Sequence, residues 1–340
     1  MEVYNCMLHH FTRSIAHIAL PDKFTYPFHY TPHPLCVMAA DEVQVYLQHQ
    51  AQWQDELQQG KMFGVLIVQT TEGEIGYLAA FSGILAGKNI HPYFVPPIYD
   101  LLQPDGFFKK EEEHISAINH RIRELEEDTS YQKCRQALEE ETARCSRLLS
   151  QAKAKLKAAK ELRDCRRQTE QLSESEQAAM IRESQFQKAE LKRLERSLKE
   201  HLSSLQKETD TYVSQIEALK NERKSRSATL QQQLFEQFRL LNARGEVKDL
   251  CSIFAHTVHK IPPAGAGECA APKLLQYAYF HHYRPVAMAE FWWGDSPKAE
   301  IRHHGHYYPA CKGKCEPILG HMLQGLEVEE NPLLEDNHRT

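Results

Sequence analysis

The sequence predicts a small α/β sandwich interrupted by a long antiparallel helical coiled-coil insertion. The insertion is indicated by the absence of glycine and proline between Gly106 and Gly245, in a segment rich in strong helix formers. The flanks combine short β-prone runs with helical patterns, as the two halves of one domain would. We therefore predict domain pieces at 1–108 and 245–330, a helical hairpin at 109–244, and a C-terminal tail at 331–340.

The first flank predicts a helix followed by a β-hairpin. Residues 33–57 carry apolar side chains at helical spacing. Residues 62–68, "MFGVLIV", form an apolar β-prone run, and "YLAAFSGIL" follows after a turn at Glu72 and Gly73.

The insertion predicts two long helices that pack along an apolar seam. Leucine and other apolar residues recur from Leu191 to Leu219 at spacings of three and four, which is a heptad pattern with a stutter. The turn is expected at 171–177, where Ser173 and Glu176 fit a capping box that starts the second helix. The alternative is one continuous helix in a parallel homodimer.

The second flank predicts the rest of the sandwich. "KDLCSIFAH" and "CAAPKLLQYAYFHH" have helical patterns, and "PVAMAEFWWG", residues 285–294, indicates a central strand. "CEPILGHMLQGL", residues 315–326, predicts a short final helix.

The composition favours a cytoplasmic protein outside the membrane. No apolar run reaches the roughly 20 residues of a membrane helix. The first residues lack the basic and apolar regions of a signal peptide. The nine cysteines show no regular framework spacing, which favours reduced thiols.

The charge of the insertion is uneven and suggests an RNA partner. Residues 111–128 carry seven acidic side chains, whereas residues 133–167 carry eleven Lys or Arg against five acidic residues. Cationic side chains on an exposed helix can follow a phosphate backbone. The alternative is a solvated helix face that only keeps the chain soluble. The candidate RNA-binding residues are Lys153, Lys155, Lys157, Lys160, Arg163, Arg166 and Arg167.

Three cysteines of the second flank suggest a metal site. Cys269 precedes one predicted helix, and Cys311 and Cys315 lie at the start of another. Zinc favours thiolates, and a structural site holds four N or S ligands. The fourth ligand is open, with candidates in "RHHGHYY" at His303, His304 and His306. The alternative is three reduced cysteines, one packed on a helix as a small hydrophobe.

These cysteines give the flanks a similarity to the zinc deaminases. "CAAPKLL" resembles the first metal motif of that family and "PACKGKC" resembles the second. The resemblance implies a deaminase-like sandwich and a diverged zinc hydrolase. Ala271 stands where the family motif has its proton-carrying glutamate, and three residues separate the second pair of cysteines, which argues against deamination.

A second resemblance covers nearly the whole chain. "FTYPFHYTPHPLCVMAADEVQVYL", "GYLAAFSG", "HPYFVPPIYDLLQPDGFF", "MAEFWWGDSPK" and "RHHGHYYPACKGKCEPILGHMLQGL" resemble the N-terminal extension of certain bacterial RluA-type RNA pseudouridine synthases. The resemblance implies an RNA-binding accessory region, a ribosomal RNA partner, and association with a pseudouridine synthase catalytic domain, as a separated extension or a fragment.

The resemblance carries over no catalytic residue. The family's isomerase domain has a His-Arg-Leu-Asp motif, and here His338-Arg339 is followed by Thr340. Whether the chain is itself an enzyme is left open. Besides the deaminase-like hydrolase, the other alternative is a coiled-coil protein-interaction module. The sequence does not fix the oligomeric state.

Overall fold

The computed structural model describes residues 7–258, 260–298 and 300–335. The chain divides into two compact units: the α/β unit, Met1–Glu111 with Ala228–Thr340, and the helical unit, Glu112–Ser227. The helical unit is shorter than the predicted insertion of 109–244. The end of the insertion belongs to the α/β unit because Phe235 and Phe238 are buried in that unit's core.

Five strands are described within these residues, and three of them form the main sheet. The strands are β1 Lys61–Gln69, β2 Ile75–Phe81, β3 Arg239–Leu241, β4 Val247–Asp249 and β5 Arg284–Trp293. The main sheet has the order β2-β1-β5 with antiparallel neighbours. β3 and β4 form a separate two-stranded sheet. The predicted hairpin is confirmed, with Gly73 in its turn at a φ of 90°.

The helices follow the predicted order. They are α1 Pro34–Gln48, α2 Gln54–Gln58, α3 Phe107–Glu127, α4 Thr129–Thr169, α5 Glu174–Gln237, α6 Leu250–Phe254, α7 Ala270–Phe280, α8 Cys315–Met322 and α9 Pro332–Glu335. The chain is therefore mixed α/β, with a small antiparallel sheet and long helices.

Both faces of the main sheet are buried. Because side chains alternate along a strand, Val65 and Ile67 face the core beneath α1, whereas Leu66 faces the core beneath α7. Gly64 allows α7 to approach β1 closely. A Cβ at that position would stand 3.0 Å from the Cβ of Ala270 and 3.1 Å from Leu274 Cδ1.

β5 is an edge strand, so its prediction as a central strand is wrong. A short irregular segment hydrogen bonds to the edge of β5 that has no neighbouring strand. This cover explains why the strand is apolar. The Trp292 N–H donates to the His306 carbonyl at 2.9 Å, and the Tyr308 N–H donates to the Glu290 carbonyl at 2.9 Å. This segment leads directly to Cys311.

In the helical unit, α5 runs antiparallel beside α3 and α4. Two ion pairs show this direction, because the partner on α5 moves back along the chain as α3 and α4 advance. Glu126 pairs with Lys220 at 2.7 Å, and Lys153 pairs with Glu195 at 3.5 Å. The chain reverses between Thr169 and Glu174, so the alternative of one continuous helix is wrong.

Caps fix the helix ends in this unit. The capping box is confirmed, because the Glu176 carboxylate accepts from the Ser173 N–H at 2.8 Å while Ser173 Oγ accepts from the Glu176 N–H at 3.4 Å. Asp128 caps α4 by accepting from the Ser130 N–H at 2.7 Å, which separates α3 from α4. That break is not apparent in the helical pattern of the sequence.

Replacing Ser173 by alanine should loosen the first turn of α5. An N-cap serine contributes about 1 kcal/mol of helix stability, so amide exchange at residues 174–178 should accelerate about fivefold, measured by hydrogen exchange with mass spectrometry. Ser204→Ala, at an exposed position within α5, is the matched control. Equal exchange in both variants would contradict the capping role.

Candidate functional site

The three predicted metal-ligand cysteines meet in the α/β unit. Cys269 is the N-cap residue of α7, and Cys315 is the first residue of α8. The Sγ atoms of Cys311 and Cys315 are 3.5 Å apart, and the Cys269 thiol lies close enough to both of these cysteines to shift their pKa values. The fold thus brings together residues that are more than 40 positions apart in the sequence.

The backbone of "CKGKC" turns its N–H groups toward sulfur. The Cys315 N–H donates to the Cys311 carbonyl at 3.2 Å, which closes a turn. The N–H groups of Lys314 and Cys315 also lie near the Cys311 sulfur and lower its pKa. The first turns of α7 and α8 add the partial positive charge of helix N-termini. All of these features favour a thiolate.

The three thiols share their protons unequally. Hydrogen bonds from Cys269, then from Cys315, hold the pKa of Cys311 well below its ordinary value. The pKa of Cys315 is raised by the same thiol contacts and by burial, and the pKa of Cys269 is raised by its contact with Cys311. Cys311 is the most exposed of the three cysteines, and its lowered pKa makes it the thiol that loses its proton most readily.

The cluster suits zinc in its chemistry, although its side chains are not arranged around an ion. In the described part of the chain, no set of three or more His, Cys, Asp or Glu side chains has metal-binding geometry. Tetrahedral zinc with Zn–S bonds of 2.3 Å would separate its sulfurs by about 3.8 Å. The Cys311–Cys315 separation of 3.5 Å lies close to that value. A metal would have to displace the thiol protons in order to bind here.

The candidate histidines lie elsewhere. His304 Nδ1 accepts from the Gly294 N–H at 3.0 Å, and its ring lies 4.1 Å from that of Trp293. The ring centroids of His303 and His306 lie 5.3 Å apart, with the rings tilted by 52°. Their observed contacts do not include the cysteines, so the expectation that one of them completes the site gains no support.

Glu290 of β5 is a site residue that the sequence analysis did not identify. Its side chain is 4% exposed, and Oε1 accepts from the Ala271 N–H at 3.2 Å. Burial raises the pKa of this carboxyl to about 7. The available signal was one acidic residue within an otherwise apolar strand. The deaminase-like motif lacks a glutamate at Ala271, and here a carboxylate reaches that backbone position from a different element.

Lys273 is a second buried charged group that the sequence analysis did not identify. It is 2% exposed, and its ammonium donates to the carbonyls of Phe81, at 2.9 Å, and Gly83, at 3.3 Å. Burial lowers its pKa to about 8. The ammonium therefore ties α7 to the end of β2.

The predicted RNA-binding residues lie on α4, and most are exposed. Four of them make surface ion pairs: Lys153 with Glu195, Lys157 with Glu161, Arg166 with Glu170, and Arg167 with Asp164. Lys155 and Lys160 are exposed and make no ion pair with any residue that the structure describes. These two lysines are the strongest candidates for phosphate contacts.

Arg163 differs from its neighbours. The residue is 6% exposed, and its Nη1 donates to Gln187 Oε1 of α5 at 2.7 Å. Its position between the two helices satisfies the guanidinium within the protein, so Arg163 stabilises the helix pair and is not available to RNA in this structure.

Comparison of the chain with protein-family models, with curated proteins and with solved structures found no match. None of the helices described here carries an apolar stretch that would cross a bilayer.

The stability of Lys273→Met relative to the wild type should depend on pH. Folding lowers the pKa of Lys273 from 10.5 to about 8. Between pH 8 and 10.5 the lysine is therefore protonated in the unfolded state and largely neutral in the folded state. The free energy of unfolding of the wild type rises with pH across this range. Below pH 8 the buried ammonium costs the folded state its full desolvation penalty, about 3 kcal/mol for this pKa shift. Lys273→Met should lose up to this amount relative to the wild type between about pH 8 and 10.5.

Urea unfolding at several pH values would measure this difference. Lys312→Met, at an exposed position, is the control and should follow the wild-type curve. If the free energies of unfolding of the wild type and of Lys273→Met change in parallel with pH, the ammonium carries no desolvation penalty.

Proposed function

We propose that this chain is a cytoplasmic, RNA-binding accessory region associated with an RluA-type pseudouridine synthase, and that it binds ribosomal RNA through α4. The observation that carries this proposal is the exposed basic surface of α4, with Lys155 and Lys160 free of ion pairs within the described chain. The resemblance of both flanks to the extension of these synthases supplies the class of RNA. The isomerase reaction belongs to that family's catalytic domain.

The ion pairs on α4 are compatible with RNA binding. Exposed pairs such as Lys157–Glu161 contribute about 0–1 kcal/mol each, so a phosphate can take the place of the carboxylate. Releasing condensed counterions from RNA gives a larger, salt-dependent driving force. Such contacts fix the position of the protein on the backbone without selecting bases.

We also propose the finer architecture that the sequence suggests, which is a coiled coil within the helical unit. Support comes from the apolar cluster in which Ile122 and Leu125 of α3 pack with Ile216 of α5. For the α/β unit we propose a deaminase-like sandwich. Its support is the cover of the sheet by α1 and α7, with cysteines at the starts of α7 and α8.

The cysteine cluster is proposed as a structural zinc centre, with Cys269, Cys311 and Cys315 as ligands. A zinc ion there would supply cross-links between α7, α8 and the loop before α8. The hydrolase alternative is weaker because the Glu290 carboxylate, which binds the N–H of Ala271, is buried against α7 and closed to a substrate.

One observation favours the protein-interaction alternative. Leu162 of α4 and Ile181 and Phe186 of α5 are 64%, 50% and 63% exposed, so both helices carry apolar side chains that a partner could cover. A partner helix would cover such a surface. Salt dependence separates the two functions, since apolar docking responds weakly to salt and phosphate binding responds strongly.

Neutralising the free lysines should reduce the salt dependence of RNA binding. Each lost phosphate contact lowers the magnitude of the slope of log affinity against log salt by about 0.7–0.9, so Lys155→Gln with Lys160→Gln should lower it by about 1.4–1.8. Titration of ribosomal RNA fragments at several salt concentrations measures the slope, with helicity checked by circular dichroism.

The matched control is Lys110→Gln with Lys224→Gln, which removes the same charge from exposed positions near the acidic segment. This control should leave the slope nearly unchanged. An equal slope in the wild type and in Lys155→Gln/Lys160→Gln would favour the protein-interaction alternative.

Each of Cys269→Ser, Cys311→Ser and Cys315→Ser should lower zinc content and thermal stability together. A structural metal adds its binding free energy to folding, so losing a ligand reduces both quantities. Metal analysis and thermal unfolding of the purified chain, with and without a chelator, measure them. Cys165→Ser, at an exposed site on α4, is the control. A wild-type protein that binds no zinc when supplied with it would remove the zinc proposal.

A further inference from the structure

The two cysteines that flank the turn before α8 lie side by side. The Sγ atoms of Cys311 and Cys315 are 3.5 Å apart. A disulfide bond holds its sulfurs at about 2.0 Å, so a movement of about 1.5 Å would close the gap. Rotation of the side chains with a small adjustment of the turn supplies a movement of this size. The pair is therefore placed to form a disulfide without rearrangement of the fold.

The backbone between the two cysteines has a geometry that a disulfide tolerates. The Cys315 N–H donates to the Cys311 carbonyl at 3.2 Å, which is the hydrogen bond of one helical turn. Two Cα atoms related in this way lie about 6 Å apart, within the range that disulfides span. A Cβ on Gly313, in the middle of the turn, would meet no atom within 4 Å. The turn can therefore tighten into open space.

The cysteines of the cluster differ in their access to solvent. Cys311 is exposed, Cys269 is half-buried, and Cys315 is 2% exposed. A dissolved oxidant can therefore reach Cys311 directly, whereas Cys315 is shielded. Redox-sensing cysteines are typically accessible sulfurs that lie next to a second, resolving cysteine. Cys311 and Cys315 have this arrangement.

Cys165 of α4 provides a contrast within the same chain. It is also exposed. The neighbouring helix α5 contains no cysteine, and the preceding cysteine on α4 is Cys145, which lies about 30 Å away along the helix axis. Cys165 is therefore accessible to an oxidant without a resolving partner in its own helix pair.

We propose that Cys311 and Cys315 form a redox-sensitive pair, in which Cys311 reacts with a hydroperoxide and Cys315 converts the product to a disulfide. The inference depends on the contact between the two sulfurs and on the exposure of one of them. It goes beyond the proposed zinc centre and does not require a metal. Disulfides of cytoplasmic proteins are usually transient, so this bond should be reversible by thiol exchange.

The reaction with hydrogen peroxide proceeds in two steps. The Cys311 sulfur attacks one oxygen of the peroxide, the O–O bond breaks, and the products are a sulfenic acid and water. The Cys315 sulfur then attacks the sulfenic sulfur, so that an S–S bond forms while the S–O bond breaks. The hydroxyl group leaves as water with the proton of Cys315. Over both steps the thiols lose two electrons and two protons, and the peroxide gains them.

Peptide mapping of the wild-type chain after treatment with hydrogen peroxide in the presence of a chelator tests the proposal. Trypsin cleaves after Lys312 and Lys314, so Cys311 and Cys315 fall on separate peptides. We expect these two peptides to become linked in most chains and to separate again when a thiol reductant is added. Cys165 should form no disulfide within the chain. Absence of the linked pair, or linkage of Cys311 to Cys269 instead, would overturn the proposal.

Cys315→Ser tests the resolving role. Without the second sulfur, the Cys311 sulfenic acid should proceed to the sulfinic acid, which thiol reductants do not reverse. Cys165→Ser is the matched control and should form the linked pair as the wild type does, with circular dichroism used to check that both variants are folded. Equal amounts of Cys311 sulfinic acid in the wild type and in Cys315→Ser would contradict the resolving role. Because these measurements exclude metal, their failure leaves the proposed zinc centre untouched.

Discussion

The close approach of α7 to β1 at Gly64 is the constraint on which the α/β unit depends. Because Gly64 has no side chain, Ala270 and Leu274 pack directly on the central strand. This contact fixes the N-terminus of α7 and with it Cys269, and it leaves room for Glu290 on the neighbouring strand. A larger residue at Gly64 would have to displace either the helix or the carboxylate. The position of the cysteine cluster is therefore set by the packing of helix on sheet.

Local signals in the sequence were sufficient for most of the long elements but not for the partners of their side chains. The hairpin turn at Gly73 and the capping box at Ser173 depend on a few adjacent residues, and both were predictable. The roles of Glu290 and Arg163 depend on strand register and on the pairing of two helices. A single sequence contains neither of these relationships. Arg163 was consequently grouped with exposed residues of the same charge.

The two candidate functions use side chains in opposite physical states. In the cysteine cluster Cys315 is buried and Cys269 is half-buried, so the contacts between the thiols have a large effect on their pKa values. On α4 the charges are solvated and weakly paired, so their number matters more than their exact contacts. A substitution in the cluster therefore affects folding and ligand binding together. A substitution on α4 can alter binding with little effect on stability.

The insertion of the helical unit between β2 and β3 has a consequence for the order of folding. Val65 pairs with Ala289, so the main sheet joins residues more than 200 positions apart, and such non-local pairing is slow. The helical unit forms from contacts that begin at its own turn and extend to Asn119 and Arg223, 3.1 Å apart. Once these helices have paired, the loop that β1 and β5 must close is effectively much shorter, which reduces the entropy cost of closure. The insertion can thus guide the assembly of the domain that it interrupts.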